Sequence, residues 1–98
     1  MANWYTEEVK TLFEAILTLQ DLEECRRFFE DICTVKEIRE ISQRLLVAQM
    51  LREGGSYAAI NAKTGVSTAT ISRVSRCLEY GSGGYDIVME RLGGGNEP

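Results

Sequence analysis

The fold of this chain is decided by residues 56–78, SYAAINAKTGVSTATISRVSRCL. Ser56 is placed to cap one short helix and Ser67 to cap a second, because serine oxygens accept hydrogen bonds from the free N–H groups of a first helical turn. Between the two helices, Gly65 can turn with positive φ and Val66 can fill the corner with an apolar side chain. Two capped helices joined by Gly-Val-Ser predict a helix-turn-helix.

The second helix of this motif has two different sides. Apolar residues recur three and four positions apart at Ile71, Val74 and Leu78, which is typical of an inward-facing stripe. The other positions are small, hydroxylated or basic, and such side chains approach phosphates and base edges closely. No acid occurs between Gly55 and Leu78. We therefore predict a surface that binds double-stranded DNA, made of Lys63, Ser67, Thr68, Ala69, Thr70, Ser72, Arg73 and Arg76.

The composition fits one small globular domain with an uneven charge. The chain has 98 residues, 44% of them hydrophobic, and a formal net charge of −4. Residues 1–51 hold ten acids and six bases, whereas residues 52–98 hold five of each. The acids therefore belong mainly to helices that would face away from DNA, which limits indiscriminate binding.

Cysteine and histidine usage excludes several classes of site. Cys25, Cys33 and Cys77 form no CxxC pair, and the chain has no histidine. A disulfide framework, a structural zinc site and most catalytic constellations are therefore not expected, and neither is enzymatic activity or a bound cofactor. Buried, reduced cysteines in a cytoplasmic protein are the favoured interpretation. No apolar run is long enough for a membrane span, so no membrane partner is expected.

Three further helices are predicted before the motif. Thr6 is placed to cap the first, Asp21 with Glu24 forms a capping-box pattern for the second, and Thr34 with Glu37 forms another for the third. The third runs without a breaker to the Gly-Gly pair after residue 53, and its apolar face is too wide for one small partner. We therefore expect a second chain to cover part of it.

The predicted architecture is all-α, with about six helices and no strand. A single helical domain is expected over residues 1–92. Its parts are dimerisation helices in 6–53, the helix-turn-helix in 56–78, a short helix in 85–92 and a disordered tail in 93–98.

Several stretches carry a resemblance to a known family. They are LFEAIL, FFEDICT, EI…QRL and GVSTATISRVSRCL…YGSGGY. With this helix order the chain resembles the Trp repressor superfamily, and within it the small TrpR-like proteins of the YerC/YecD type. The resemblance implies an intertwined all-helical homodimer. Its two recognition helices would lie about 34 Å apart, one turn of DNA, so a palindromic operator is expected.

The same resemblance points to a possible effector pocket at Thr34, Arg44, Arg73 and Val74. Thr34 and Arg44 keep the residue types and the spacing of the Trp repressor pocket, and Arg73 is kept in the recognition helix. Val74 stands where the Trp repressor has a glycine that leaves room for the indole ring. We therefore do not expect L-tryptophan to act as corepressor, and any other effector stays unknown. From the residues alone, two simpler roles fit as well as a pocket: Thr34 can be a helix cap, and Arg44 can be an exposed charge.

Asn61 departs from the usual pattern of a helix-turn-helix. Many such motifs have alanine four residues before the turn glycine, because the two helices cross closely there. Asn61 therefore predicts either a displaced first helix or an amide that hydrogen-bonds across the corner.

The function favoured by these patterns is that of a sequence-specific, repressor-like transcriptional regulator that binds DNA as a homodimer. The alternative is a helical, dimeric adaptor that binds proteins and not DNA, which the net negative charge favours. Two-helix corners with a glycine turn also occur in all-α proteins that never contact nucleic acid. Salt dependence separates the two functions, because binding through several phosphates weakens steeply with salt.

Overall fold

The computed structural model describes residues 2–94, which contain α-helices and no strand. The helices are α1 (Glu7–Ile16), α2 (Leu22–Ile32), α3 (Val35–Arg52), α4 (Tyr57–Thr64), α5 (Thr68–Tyr80) and α6 (Gly84–Gly94). The predicted all-α class is confirmed. The chain divides into two compact units, with the boundary after Ile38. The prediction of a single domain over residues 1–92 stays a prediction.

Side-chain caps start the two helices of the first unit as predicted. The Thr6 hydroxyl accepts a hydrogen bond from the Val9 N–H at 3.3 Å. The Asp21 carboxylate accepts from the Glu24 N–H at 2.8 Å. The Glu24 carboxylate reaches back to the Gln20 N–H at 3.0 Å, one residue before the cap. Each bond satisfies a backbone donor that the helix itself leaves free.

Thr34 and Glu37 form a complete capping box at the start of α3. The Thr34 hydroxyl accepts from the Glu37 N–H at 3.1 Å, and the Glu37 carboxylate accepts from the Thr34 N–H at 2.8 Å. The Thr34 N–H, and after it the Thr34 hydroxyl, lowers the pKa of the Glu37 carboxyl below its usual value. The cap predicted for Thr34 from the residues alone is therefore present.

The first unit buries none of its large apolar side chains fully, and six of those that the structure describes are exposed. No residue of α1 or α2 is buried. Leu17 and Leu22 are 83% and 86% exposed, and Val35 is 68% exposed. Such a run of exposed apolar residues on consecutive helices is typical of a surface that another molecule covers.

The second unit has a core, and the helix-turn-helix supplies most of it. The buried residues are Val47, Ala48, Ile60, Val66, Ile71 and Val74. Around them pack the half-buried side chains of Met50, Leu51, Leu78, Tyr85 and Met89. The inward stripe predicted for α5 is confirmed, since its members are all in or against this core.

Helix α6 differs in its bounds from the helix that the sequence predicts. Helix α6 begins at Gly84 and continues through Gly94, so it is longer than the predicted helix over 85–92 and includes the first two residues of the predicted tail. Its ends are one and two residues from the predicted ones, within the usual uncertainty of helix termini. The rest of that tail, 95–98, lies outside the described residues.

The expectation of buried cysteines is wrong, since none of the three is buried in the single chain. All three thiols are free, but Cys25 and Cys33 are half-buried and Cys77 is exposed. The inward stripe of α5 passes from Val74 to Leu78, so Cys77 lies beside the stripe and is not within it. None of the helices within residues 2–94 has the length and apolarity needed to cross a membrane.

Candidate nucleic-acid interface

The turn between α4 and α5 has the geometry that its sequence predicts. Ser56 caps α4 by accepting from the Ala59 N–H at 3.1 Å. The helix ends at Gly65, which has a left-handed φ of 75° and donates its N–H to the Asn61 carbonyl at 2.8 Å. Only glycine adopts this conformation without strain, and it lets the chain reverse within three residues.

Ser67 is the cap of α5, which begins at Thr68. Its hydroxyl accepts from the Thr70 N–H at 3.2 Å and lies 3.1 Å from the Thr70 hydroxyl. Thr68 and Ala69, in the first turn, are exposed, whereas Thr70 is half-buried. The first turn of a helix carries a partial positive charge, so this end of α5 attracts anions such as phosphate.

The outer side of α5 is a continuous polar and basic face. It comprises residues spaced three and four apart, all of them exposed: Ala69, Ser72, Arg73 and Arg76. On the opposite side, Ile71 is fully buried and Val74 is 2% exposed. The core therefore anchors α5 from behind and leaves the outer face free to contact a partner.

The helix-turn-helix itself carries only positive charges. The three bases of the motif, Lys63, Arg73 and Arg76, are exposed, and no acid lies between residues 54 and 78. Among the ion pairs of residues 2–94, two involve Arg26 and one joins Arg52 to Asp86. None engages the three bases of the motif, so their charges are available to a polyanion.

Asn61 makes the hydrogen bond across the corner that was one of its two predicted alternatives. Its side-chain amide donates to the Val66 carbonyl at 2.8 Å. Thr64 also contacts this residue, since its hydroxyl accepts from the Val66 N–H at 3.1 Å and donates to the Ile60 carbonyl at 2.7 Å. Two side chains of α4 thus hold the buried residue of the turn.

A recess of ≈ 240 Å³ lies beside the start of α5. It is lined by Glu40, Gln43, Arg44, Gly65, Val66, Ser67 and Thr70. Arg44 of the predicted effector pocket is therefore among its lining residues. Gln43 and Arg44 lie three and four positions after Glu40, so the lining residues from α3 share one side of that helix.

Arg73 and Val74 of the predicted pocket are not among the residues that line this recess. Thr34 belongs to the first unit, where it caps α3, and Val74 is buried in the core. Arg73 is exposed on the outer face of α5. Its charge and that of Arg44 both act on the pKa of Tyr85. Burial, followed by the nearby Cys77 thiol, raises the pKa of Tyr85, and the two arginines oppose this rise. The pocket as a whole stays a prediction.

These features define an all-helical protein with a well-formed helix-turn-helix. The sequence profile of the Trp repressor protein family matches residues 7–93. The chain therefore belongs to the Trp repressor family.

Individual relatives agree with this assignment. The uncharacterized protein YerC of Bacillus subtilis (strain 168) is 56% identical over 86 residues, which cover 88% of this chain and 83% of YerC. The crystal structure of a TrpR-like protein from Eubacterium eligens superimposes with a TM-score of 0.86 at 60% identity, covering 91% of this chain and 92% of that one. A structure from Staphylococcus aureus superimposes with a TM-score of 0.87 at 48% identity, covering 92% of this chain and 90% of that one.

Proposed function

We propose that this protein is a sequence-specific DNA-binding transcriptional regulator of the repressor type. The observation that carries the proposal is the outer face of α5, which is exposed, basic and anchored from behind by Ile71 and Val74. Membership of the Trp repressor family supports it. That family consists of regulators, and the proposed function requires no catalytic group.

Contacts to the DNA backbone would orient the protein. The N–H groups at the start of α5, the Ser67 hydroxyl and the Lys63 ammonium group are suited to phosphate oxygens. These groups carry no sequence information, so they set affinity and position and do not choose the site.

Base recognition would fall to side chains of the first turn of α5 and to the arginines of its outer face. Thr68, Ala69 and Thr70 are small enough to allow the helix close to the base edges. Arg73 can donate two parallel hydrogen bonds to a guanine, and Arg76 can reach either a guanine or a phosphate.

The direct test is selection of bound sites from random duplex DNA at two salt concentrations. We expect an enriched sequence whose affinity falls steeply between about 50 and 200 mM salt, because each phosphate contact releases counterions. No enriched sequence at either concentration would refute the proposal.

We further propose that the protein acts as an intertwined homodimer on a palindromic operator. The exposed apolar side chains of the first unit support this, since Leu17, Leu22 and Val35 are each more than 60% exposed in the single chain. Recognition by two copies of α5 would give half-sites about 10 base pairs apart. Sedimentation that finds a stable folded monomer at micromolar concentration would refute the dimer, and a selected site without two-fold symmetry would refute the palindrome.

A second candidate function is that of a dimeric adaptor that binds proteins. The net charge of −4 favours it, because a negatively charged surface repels DNA at long range. The salt series separates the two functions, since an adaptor would show no DNA binding that weakens with salt.

A further inference from the structure

The turn residue Val66 is held by hydrogen bonds to side chains, and not by the backbone hydrogen bonds of either helix. Val66 lies between α4 and α5 and is 8% exposed. Its N–H donates to the Thr64 hydroxyl at 3.1 Å, and its carbonyl accepts from the Asn61 amide at 2.8 Å. Both of its backbone polar groups are therefore bonded to side chains of α4. Buried backbone groups without partners are strongly disfavoured, so these two bonds define where Val66 can lie.

The position of Val66 determines where the recognition helix begins. Val66 directly precedes Ser67, the cap of α5, and its side chain packs in the same core as Ile60 and Ile71. A shift or rotation of this residue would therefore move the cap and the first turn of α5. Base contacts tolerate little displacement, because bidentate hydrogen bonds require their donors at fixed positions.

Thr64 connects this arrangement to the helix before the turn. Its hydroxyl donates to the Ile60 carbonyl at 2.7 Å while it accepts from Val66. Asn61 is one turn of α4 from Gly65 and accepts the Gly65 N–H with its own carbonyl. The side chain and the backbone of Asn61 thus bond to consecutive residues of the turn.

We propose that Asn61 and Thr64 are positioning residues that fix the angle at which α5 meets DNA, and so raise sequence specificity. The proposal rests on the proposed DNA-binding function. Neither residue is assigned a contact with DNA. Their role is to hold Val66, and through it the first turn of α5.

The test compares two deletions of these bonds with two controls. Asn61→Ala removes the amide that bonds to Val66, and alanine is a better helix former, so α4 itself is not weakened. Thr64→Val removes the hydroxyl at nearly constant shape. Thr64→Ser keeps the hydroxyl and is the conservative rescue. Thr11→Val is the matched control, since the Thr11 hydroxyl donates to the Glu7 carbonyl in the same way but lies in α1.

Two quantities are measured below the thermal midpoint of every variant. The first is the ratio of affinities for the selected site and for random duplex DNA, by fluorescence anisotropy. We expect Asn61→Ala and Thr64→Val each to lower selected-site affinity about tenfold, the equivalent of one lost hydrogen bond. Affinity for random duplex should change by no more than about twofold, because non-specific binding depends mainly on charge and every basic side chain is retained. Thr64→Ser and Thr11→Val should leave the ratio unchanged.

The second quantity is the hydrogen-exchange rate of the Val66 amide by NMR, which requires no DNA. We expect faster exchange in Thr64→Val than in Thr64→Ser or the unmodified protein, since only the valine variant lacks an acceptor. An unchanged specificity ratio in both Asn61→Ala and Thr64→Val would overturn the positioning role, even with normal DNA binding. Failure of the unmodified protein to select any DNA would instead refute the proposed function, and the positioning role with it. The exchange rates would still show whether the bonds to Val66 hold the turn.

Discussion

The two compact units differ in how much of their apolar surface they bury by themselves. In the unit from residue 39 onward, Ile60 and Ile71 are fully buried, and the helix-turn-helix packs against α3 residues such as Val47. In the unit up to residue 38, neither α1 nor α2 buries a residue, and Leu22 is 86% exposed. The part that would contact DNA is packed within the single chain, whereas the N-terminal helices leave apolar side chains exposed, as surfaces that bind another molecule do.

The units also differ in charge. Residues 1–38 contain nine acids and four bases, whereas residues 39–98 contain six acids and seven bases. The net charge of −4 is therefore the sum of −5 in the first region and +1 in the second. A whole-chain value is a poor guide to nucleic-acid binding in such a protein, because a polyanion interacts with the local field.

The largest expected effect is on the core of the second unit. Ile71→Ala should lower the free energy of unfolding by about 2–5 kcal/mol, because it leaves a cavity at a fully buried site. Tyr80→Ala in the same helix is the control, since Tyr80 is 82% exposed, and should change stability by about 0.5 kcal/mol or less. Urea denaturation at fixed protein concentration measures both. Equal effects of the two variants would show that the second unit is not packed as described.

The second prediction concerns the exposed apolar surface of the first unit. If a second copy covers Leu22, Leu22→Ser should weaken dimerisation by about 1.5–3 kcal/mol for each chain, the value of one buried leucine. Sedimentation equilibrium measures the dissociation constant. The thermal midpoint of the unmodified protein should also rise with protein concentration.

Glu14→Ala is the control for this comparison, because Glu14 is exposed and polar. The Glu14→Ala protein should dimerise with the same dissociation constant as the unmodified protein. A Leu22→Ser protein that dimerises normally would show that the surface at Leu22 is not part of the interface.

The third prediction concerns the outer face of α5. Replacing Arg73 or Arg76 by alanine should weaken binding to the selected site by about 1–3 kcal/mol if the arginine reads a guanine, with the fold intact. Arg27→Ala removes the same charge from an exposed position in α2 and should have little effect on binding. Fluorescence anisotropy measures all three. Unchanged binding by both α5 variants would show that neither arginine recognises a base.

Much of the fold follows from local chemistry that the sequence displays. Ser56, Gly65 and Ser67 act through the first or last turn of a single helix, so their roles can be inferred without knowing what packs nearby. The stripe at Ile71 and Val74 likewise follows from helical period alone. These predictions are confirmed because nothing in the tertiary structure competes with them.

The remaining features depend on contacts between residues whose separation the sequence does not give. Asn61 left two alternatives open, since the choice requires the position of the Val66 carbonyl. The double role of Thr64 and the lining of the recess by Gln43 were missed for the same reason. Exposure of Cys77 could have been predicted from the helical period, which places it beside the inward stripe; the expectation followed the usual burial of free cysteine instead.

The fourth prediction returns to the first unit and its capping box. Thr34→Ala should lower the free energy of unfolding by about 1 kcal/mol, since it removes the side-chain cap of α3. The pKa of Glu37 is lowered in the folded protein, so its contribution to stability is present above the unfolded-state pKa and is lost as pH falls through the folded value. Stability of the unmodified protein should therefore fall more steeply in acid than that of Glu37→Gln. Identical acid profiles would exclude a role for this carboxylate.

The smallest expected effect is that of free L-tryptophan, which we expect not to switch this protein. In the family's pocket a glycine leaves room for the indole ring, and here Val74 occupies that position and is 2% exposed within the core. Forcing a ring into a filled apolar site usually costs about 1–3 kcal/mol through overpacking, which is enough to abolish a weak interaction.

Calorimetric titration with L-tryptophan should therefore give no binding heat, and operator affinity should be the same with and without it. Val74→Ala enlarges the site while keeping an apolar residue, and comparison of its titration with that of the unmodified protein isolates the effect of the valine side chain. Because Val74 belongs to the core, this variant is used only below its own thermal midpoint. Tight binding of L-tryptophan by the unmodified protein, with a matching gain in operator affinity, would show that Val74 does not close the pocket.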